Sequence, residues 1–287
     1  MSTNRQPGFL RYIDDLNQWN PADFRKFYID GKQAGYIKHF QCDLLAQWPG
    51  YFAITKDRVE LLATADSVES RSQILAEVVN QLAEQSVIRQ PIGESYPVIA
   101  QEGEEILATI DRVAAGFFGI KTFGQHLNGY VNSVDGLKLW IARRDASRVH
   151  FPNKLDNIVA GGLPSELSLK ENLRKECHEE ADIPAHMADK ATPVGSVSYC
   201  RDNGIGLKQD KLYCYDLELP EDFVPRNTDG EVAEFLLLPV DDVLQLILET
   251  DQFKLNCNLV FIDFFIRHGI INQDHPEYSE LVSGLRK

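Results

Sequence analysis

The sequence lacks the features that mark several common classes of protein. Its five cysteines are scattered, odd in number and without a CxxC pair, which excludes a disulfide framework and a cysteine zinc site. Its 29 lysines and arginines are outnumbered by 43 aspartates and glutamates, and a net charge of −14 disfavours binding to nucleic acid or to a membrane surface. No stretch approaches the ~18 consecutive apolar residues of a transmembrane helix, and no apolar run follows the N-terminal arginine. These absences predict a soluble protein of the cytoplasm.

The 287 residues are enough for two domains, and the composition (44% hydrophobic, 25% charged) is that of a globular protein. Residues 1–115 are expected to form a small α+β domain with no recognisable chemistry. In residues 116–287, strand-like runs alternate with helical patterns. The expected fold class is therefore α+β, with a mixed sheet that carries helices on its faces.

Four patterns organise the first part of the chain. Residues 10–45 show helical periodicity with aromatic anchors, interrupted by an extended stretch that starts at Gly35. The segment 51–62 resembles a hairpin, and residues 70–86 form a good amphipathic helix. A further helix is expected within 102–119.

The second part contains six runs that predict strands and three that predict helices. The strand-like runs are at 130–131, 137–142, 158–160, 195–200, 211–217 and 233–238. The helical patterns are at 169–181, 240–250 and 257–268.

The most informative of these helices has its own start and stop signals. Ser168 and Glu171 form a capping box, so the helix should start at Leu169. Pro184 stops it, and Asp182 can adopt the left-handed conformation that glycine usually takes at that point.

Three carboxylates on this helix carry the chemistry. Glu176, Glu179 and Glu180 are spaced i, i+3 and i+4, so their carboxylates project as one group and repel each other by roughly 0.2–0.5 kcal/mol per pair. A bound cation removes that penalty, and oxygen-only ligands suit Mg²⁺ or Mn²⁺. Such ions could polarise a diphosphate and position a water molecule. Their positive charge would also screen an anionic small-molecule substrate from the acidic protein.

A strand ending in Gly-Gly, a short loop, a capped helix and the glutamate group follow one another here. This arrangement resembles the Nudix box, whose helical half reads Arg-Glu-(apolar)-x-Glu-Glu-x-Gly-(apolar); the sequence has KECHEEADI at 175–183. It departs from that pattern with Lys175 in place of Arg and Asp182 in place of Gly. The loop is also one residue short, so the first Glu of the box falls on Leu167 or Ser168. Glu166 is the nearest candidate to replace it.

Five further segments resemble one Nudix subfamily, which is fused to thiamin pyrophosphokinase in some fungi and carries an added N-terminal domain in bacteria and plants. The segments are GQHLNGYV (124–131), LWIARR (139–144), PNKLDNIVAGGLP (152–164), TDGEVAEFLLLP (228–239) and FKLNCNLVFIDFFIRHG (253–269). The resemblance implies a Nudix α/β/α sandwich after an N-terminal domain. It also implies hydrolysis of thiamin diphosphate, or of its oxidised or antivitamin analogues, to the monophosphate and phosphate.

The resemblance assigns roles to residues of the box. Glu176, Glu179 and Glu180 match the metal-binding glutamates of the family. Either Glu176 or Glu180 would orient or deprotonate the attacking water, and the sequence does not choose between them. Gly161 and Gly162 let the backbone pass closely by the metal site.

Candidates outside the box are weaker. Glu231, at the start of a strand, is a candidate for an extra metal ligand or base. Arg143 or Arg144 could bind the terminal phosphate, although alternation along a strand lets only one of them face the site. Lys154 is a further phosphate candidate, and Asn128 could hydrogen-bond the organic part of the ligand.

Two other functions stay open at this point. One is hydrolysis of ADP-ribose or a dinucleotide, which would release different products. The other is a non-catalytic Nudix-fold module that only binds its ligand, which the altered Arg and the absent loop Glu favour. Residues 1–115 would either roof the substrate site or mediate a homodimer.

Overall fold

The computed structural model describes residues 8–62 and 66–286. In these ranges the α-helices are α1 Leu10–Leu16, α2 His39–Leu45, α3 Val68–Glu84, α4 Leu169–Ala181, α5 Ala185–Ala188, α6 Val240–Glu249, α7 Cys257–Arg267 and α8 Tyr278–Gly284. The strands are β1 Phe24–Ile29, β2 Lys32–Lys38, β3 Phe52–Ile54, β4 Arg58–Leu61, β5 Ser95–Val98, β6 Ala108–Asp111, β7 Lys121–Ser133, β8 Gly136–Arg144, β9 Leu155–Asn157, β10 Val159–Gly162, β11 Thr192–Asp202, β12 Leu207–Glu218 and β13 Val232–Pro239. None of the described helices is both long enough and apolar enough to cross a bilayer.

Seven strands form one mixed sheet, in the order β11-β12-β7-β8-β13, with β10 paired to β7 and β9 paired to β8. Only the β7–β12 pairing is parallel among the described pairs of this sheet. Side chains of β7 alternate between its faces: Leu127 packs in the core under α4, whereas Asn128 bonds Asp216, which Arg267 of α7 holds. Helices therefore cover both faces, and the α/β/α sandwich expected from the sequence is confirmed.

The N-terminal unit has a separate four-stranded sheet of order β2-β1-β4-β3 and a two-stranded ribbon, β5-β6. The helix α3 packs on these strands around a core of its own. Backbone hydrogen bonds join the unit to the sandwich: Ser165 N donates to Ser95 O at 2.8 Å, and Leu207 N donates to Gly116 O at 3.0 Å. The ribbon thus lies against the loop that precedes α4.

Some residues pack in the core of the unit on the other side of the predicted boundary. Tyr12 and Ile13 of α1 pack in the core beneath α7, in the larger unit, while Phe117 and Phe118 pack in the core of the smaller unit. The boundary between residues 115 and 116 stays a prediction.

In the N-terminal part, one helix prediction is wrong and another is confirmed only in part. The segment 102–119 contains the strand β6 and a short 3₁₀ turn instead of a helix. Ala108 and Ile110 are buried while their neighbours are less so, and β6 finds a partner in β5, so pairing decides the conformation. Similarly, helical periodicity in 10–45 holds only for α1 and α2, since Phe24–Ile29 is the strand β1. The hairpin at 51–62 and the helix near 70–86 are confirmed as β3-β4 and α3.

Candidate active site

The helix α4 begins and ends where its local signals predict. Glu171 N donates to Ser168 Oγ at 3.3 Å, and Ser168 N donates to Glu171 Oε2 at 3.0 Å, so the capping box is formed. At the other end Asp182 adopts the left-handed conformation, with φ 52° and ψ 32°. Leu173 and Cys177 are buried against the sheet. These contacts fix which side of the helix faces β10.

The three predicted glutamates lie close together on this helix, and their burial decreases from Glu180 to Glu176 to Glu179. Lys175 Nζ is 3.2 Å from Glu176 Oε1 and 2.7 Å from Glu179 Oε2, so one ammonium group bridges two carboxylates. Glu180 is only 7% exposed, and its Oε2 accepts a 2.7 Å hydrogen bond from Ala160 N. We call Glu176, Glu179 and Glu180 the carboxylate group.

The electrostatics of the carboxylate group call for a cation. Burial, together with the neighbouring charge of Glu176, raises the pKa of Glu180 to about 8. Burial also raises the pKa of Glu176, with Lys175 opposing and Glu179 and Glu231 adding to the effect. Lys175 already acts as a stand-in cation between two of the carboxylates. Mg²⁺ or Mn²⁺, with oxygen ligands of this charge, would fit the group.

The two glycines before α4 are required by close contacts. A Cβ on Gly161 would lie 2.3 Å from Glu176 Cδ, and a Cβ on Gly162 would lie 2.0 Å from the Tyr96 hydroxyl oxygen. Gly161 therefore makes room for the carboxylate group, and Gly162 makes room for a side chain of the N-terminal unit.

Glu231 lies close enough to the carboxylate group for its charge to raise the pKa of both Glu176 and Glu180. Its own carboxylate forms an ion pair with Arg148, in the loop that follows β8. The structure therefore brings together the three glutamates of α4, the two glycines and Glu231.

The remaining predicted residues are held by other protein groups. Arg143 pairs with Glu234 of the neighbouring strand β13, and Arg144 Nη1 donates to Asp156 Oδ2 at 3.0 Å. Their assignment to phosphate binding stays a prediction.

The other two ligand candidates are engaged in the same way. Lys154 Nζ donates to Asp251 O, and Asn128 Nδ2 donates to Asp216 Oδ1 at 3.0 Å on the α7 face of the sheet. Lys154 as a phosphate ligand stays a prediction, and so does Asn128 as a partner of the organic part of the substrate.

A second group of potential ligands lies on that α7 face. His126, Asp156 and Cys257 are buried and place ligand atoms within 4.8 Å of one another. Asp156 is already paired with Arg144 and with Lys254, at 3.0 and 3.1 Å. Two cations on its only carboxylate would repel a divalent ion, so we assign this group to the core of the sandwich.

Sequence reasoning missed the neighbours that come from distant parts of the chain. Tyr96 touches Gly162, and Arg112 pairs with Glu94 beside it at 2.8 Å. Arg148 reaches Glu231 from the loop after β8. No local pattern marks these residues, because their position depends on how the N-terminal unit and that loop pack on the sandwich.

Comparison with known proteins gives one family model and several relatives. Residues 8–122 match a model described as "Domain of unknown function (DUF4743)". Two Arabidopsis thaliana proteins, "Nudix hydrolase 20, chloroplastic" and "Nudix hydrolase 24, chloroplastic", are each 40% identical over 97% of this chain and 78% of their own length. The NUDIX domain of Shewanella oneidensis NrtR, solved with ADP ribose, is 14% identical over 54% of this chain and 91% of that domain, with a TM-score of 0.42. A likeness of that size carries no weight for function.

Proposed function

The chain belongs to the Nudix hydrolase family, a family of diphosphate hydrolases; we propose that it cleaves a diphosphate bond through Mg²⁺ or Mn²⁺ held by Glu176, Glu179 and Glu180. The observation that carries this proposal is the carboxylate group itself, with one ammonium group already bridging two of its members. A bound metal ion would polarise the diphosphate and lower the pKa of a water molecule.

The chain's own residues would have three roles. Glu176 and Glu179 point their carboxylates at a shared cation position, and Gly161 leaves the space that Glu176 needs. Glu180, fixed by Ala160 N, is oriented before any ligand arrives. Glu176, Glu180 and Glu231 are the candidates for the base that accepts the proton of the attacking water.

We propose thiamin diphosphate, or an oxidised or antivitamin analogue of it, as the substrate. Support comes from the five segments that resemble the subfamily fused to thiamin pyrophosphokinase, which run from residue 124 to residue 269. The products would be the monophosphate and one phosphate. A cytoplasmic location stays a prediction.

The test identifies the products, including any free phosphate, that form from a panel of compounds with Mg²⁺ or Mn²⁺. The panel holds thiamin diphosphate, its oxidised analogues, ADP-ribose, NADH and a nucleoside triphosphate. Release of one phosphate from the thiamin compounds alone is expected, and Glu179→Gln should lower turnover by ~100-fold or more. Glu84→Gln is the matched control, because Glu84 is an exposed glutamate at the end of the helix α3. Two monophosphates from ADP-ribose or NADH would replace the thiamin proposal with the dinucleotide alternative.

A non-catalytic binding module is a second candidate. It is favoured by Lys175, whose ammonium group lies between Glu176 and Glu179, and by the missing loop glutamate, whose position falls on Leu167 or Ser168. In that case no compound of the panel would be hydrolysed, while thiamin diphosphate would still bind in calorimetry. Glu179→Gln would then leave turnover at zero.

A further inference from the structure

Four cationic side chains surround one histidine at the junction of the two units, in a protein whose net charge is −14. Arg89 and Arg112 come from the N-terminal unit, and Arg144, His150 and Lys208 come from the sandwich. We call these five residues the junction cluster. Arg112, Arg144 and Lys208 are each paired with a carboxylate, of Glu94, Asp156 and Asp210, so the charge available to an anion at this junction is mainly that of Arg89.

Arg89 is the member of the junction cluster that is most available to a ligand. It is exposed, its Nη1 lies 3.2 Å from His150 Nε2, and none of the described carboxylates forms an ion pair with it. A guanidinium group can only donate, so His150 Nε2 must accept and must carry no proton. Arg89 therefore keeps its full charge and most of its N–H groups for another acceptor.

The electrostatic setting of His150 agrees with this geometry. Partial burial lowers the pKa of His150, and the charges that lower it further are those of Arg89, Lys208, Arg112 and Arg144. Cations thus dominate the potential at this imidazole ring.

Arg112 is connected through its neighbours Glu94 and Tyr96 to Gly162, at the end of β10. Its Nη1 pairs with Glu94 Oε2 at 2.8 Å, and its guanidinium lies 5.8 Å from the centre of the Tyr96 ring. The Tyr96 hydroxyl group touches Gly162, and Ser95 O accepts a hydrogen bond from Ser165 N. One border of the junction cluster therefore lies beside the end of β10, where Gly161 makes room for the carboxylate group.

The loop that follows β8 forms the other border. His150 of this loop contacts Arg89, and Arg148, two residues earlier, pairs with Glu231. Glu231 in turn acts on the pKa of Glu176 and Glu180. Two separate chains of contacts thus connect the junction cluster to the carboxylate group, one through Tyr96 and Gly162 and the other through Arg148 and Glu231.

We propose that Arg89 and Arg112 bind phosphate oxygens of the diphosphate substrate, so that the N-terminal unit supplies part of the substrate site. The inference rests on the proposed function, since the carboxylate group would hold the metal ions that face the same diphosphate. Guanidinium groups are suited to this because their fork of N–H donors matches two oxygens of one phosphate. The arrangement also explains how an acidic protein accepts an anionic substrate.

The test compares Arg89→Gln and Arg112→Gln with Arg58→Gln. Arg58 is a close match for Arg112: it pairs with Glu60 at 3.2 Å, lies 5.5 Å from the Tyr28 ring centre and has 51% of its side chain exposed, against 48% for Arg112. It belongs to the same N-terminal unit but not to the junction cluster. All three variants remove one positive charge, so a general charge effect would appear equally in all of them.

The probe is inorganic pyrophosphate with Mg²⁺, and the readout is its Kd by calorimetry. Arg89→Gln and Arg112→Gln should each raise the Kd by ~10-fold or more, the usual size for a lost hydrogen bond to a charged group, while Arg58→Gln should leave it unchanged. With a substrate from the panel, the same two variants should raise KM far more than they lower kcat. Arg112→Lys, which keeps the charge but not the fork, should have a Kd between those of the wild-type protein and Arg112→Gln.

Unchanged pyrophosphate binding in both variants, or no binding by the wild-type protein, would overturn the inference. Circular dichroism and the urea midpoint show whether each variant is folded, and Arg89→Gln, at an exposed residue, remains informative where Arg112→Gln does not fold. Because pyrophosphate binding is measured without turnover, the experiment distinguishes failure of this inference from failure of the proposed hydrolysis. Weakened pyrophosphate binding with no hydrolysis of any compound would remove the proposed function alone, whereas hydrolysis unaffected by either variant would remove this inference alone.

Discussion

At the scale of single residues, Gly161 determines where the carboxylate of Glu176, a proposed metal ligand, can lie. Replacing it with Ala would place a methyl group 2.3 Å from Glu176 Cδ, which the carboxylate can only avoid by moving. We expect Gly161→Ala to lower kcat/KM by roughly 10–100-fold, because displacement of a catalytic group by about 1 Å has effects of this size. The measurement is steady-state hydrolysis of the substrate found in the panel.

The control for this prediction is Gly50→Ala. A Cβ added at Gly50 would have no neighbouring atom within 4 Å, and the residue has no positive φ, so the change should leave both activity and stability as they are. Wild-type activity in Gly161→Ala would show that the position of the Glu176 carboxylate is not critical for the reaction.

The sequence predicted those site residues that one helix brings together. Glu176, Glu179 and Glu180 are neighbours because of helical geometry alone, and any fold that keeps α4 keeps the group. The contacts of Tyr96 with Gly162 and of Arg148 with Glu231 depend on tertiary packing. Such contacts leave no periodic pattern in the sequence, so they could not be predicted from it.

At the scale of elements, the accuracy of prediction depends on where the deciding contacts lie. The helix α4 was predicted with both of its ends, because its capping box and its stop signals lie within the segment itself. Residues 102–119 were predicted as a helix and contain β6, because the pairing with β5 and the burial of Ala108 and Ile110 lie outside the reach of a local pattern. Local sequence signals therefore predict an element correctly when tertiary contacts, such as strand pairing, favour the same conformation.

The end of α4 offers a prediction about stability. Asp182 holds a left-handed conformation, which is unfavourable for residues with a Cβ and favourable for glycine. Asp182→Gly should therefore raise the free energy of unfolding by about 0.5–1 kcal/mol, whereas Asp182→Ala should lower it. The ion pair of Asp182 with His178 is exposed and 3.6 Å long, so its loss should contribute little.

Urea unfolding of the three proteins at one pH checks this order of stability. If the alanine variant were as stable as the glycine variant, backbone strain at residue 182 would have no part in ending the helix. The result also bears on the family pattern, since glycine is the residue that the Nudix box has at this position.

At the scale of the whole molecule, a buried polar layer joins the sheet to α7. Asp156 lies at its centre: burial alone would raise the pKa of this carboxyl group, but Lys254 and Arg144 bring it down to about 2. The His126 ring bonds Asn157 Oδ1 through Nδ1 at 2.8 Å and is 3% exposed. The hydrogen bonds and ion pairs of this layer are all formed only while Asp156 is ionised and His126 is neutral.

His126 makes the stability of the whole fold depend on pH. Burial, followed by the charge of Lys254, lowers its pKa from 6.5 to about 4. Below pH 6.5 the unfolded chain therefore binds a proton that the folded chain refuses, so the contribution of His126 to stability is full above pH 6.5 and falls as the pH approaches 4. The raised pKa of Glu180 acts in the opposite direction, because the folded chain binds that proton more readily than the unfolded chain between pH 8 and pH 4.5. The shift of His126 by itself corresponds to a loss of about 3 kcal/mol between pH 7 and pH 4. Asp156 does not contribute much in this window, because both its folded and its unfolded pKa lie below it.

Urea unfolding at pH 7, 6, 5 and 4 measures this dependence, and two variants isolate its source. His126→Asn removes the titrating ring but keeps a side chain that can bond Asn157. Relative to the wild-type protein, its free energy of unfolding should therefore increase by about 3 kcal/mol as the pH is lowered from 7 to 4, whatever the shared contribution of Glu180. His186→Asn removes an exposed histidine and should leave the wild-type slope unchanged. Equal slopes in the wild-type protein and in His126→Asn would mean that the acid sensitivity of the fold arises elsewhere, and that the layer beneath α7 tolerates a charged imidazole ring.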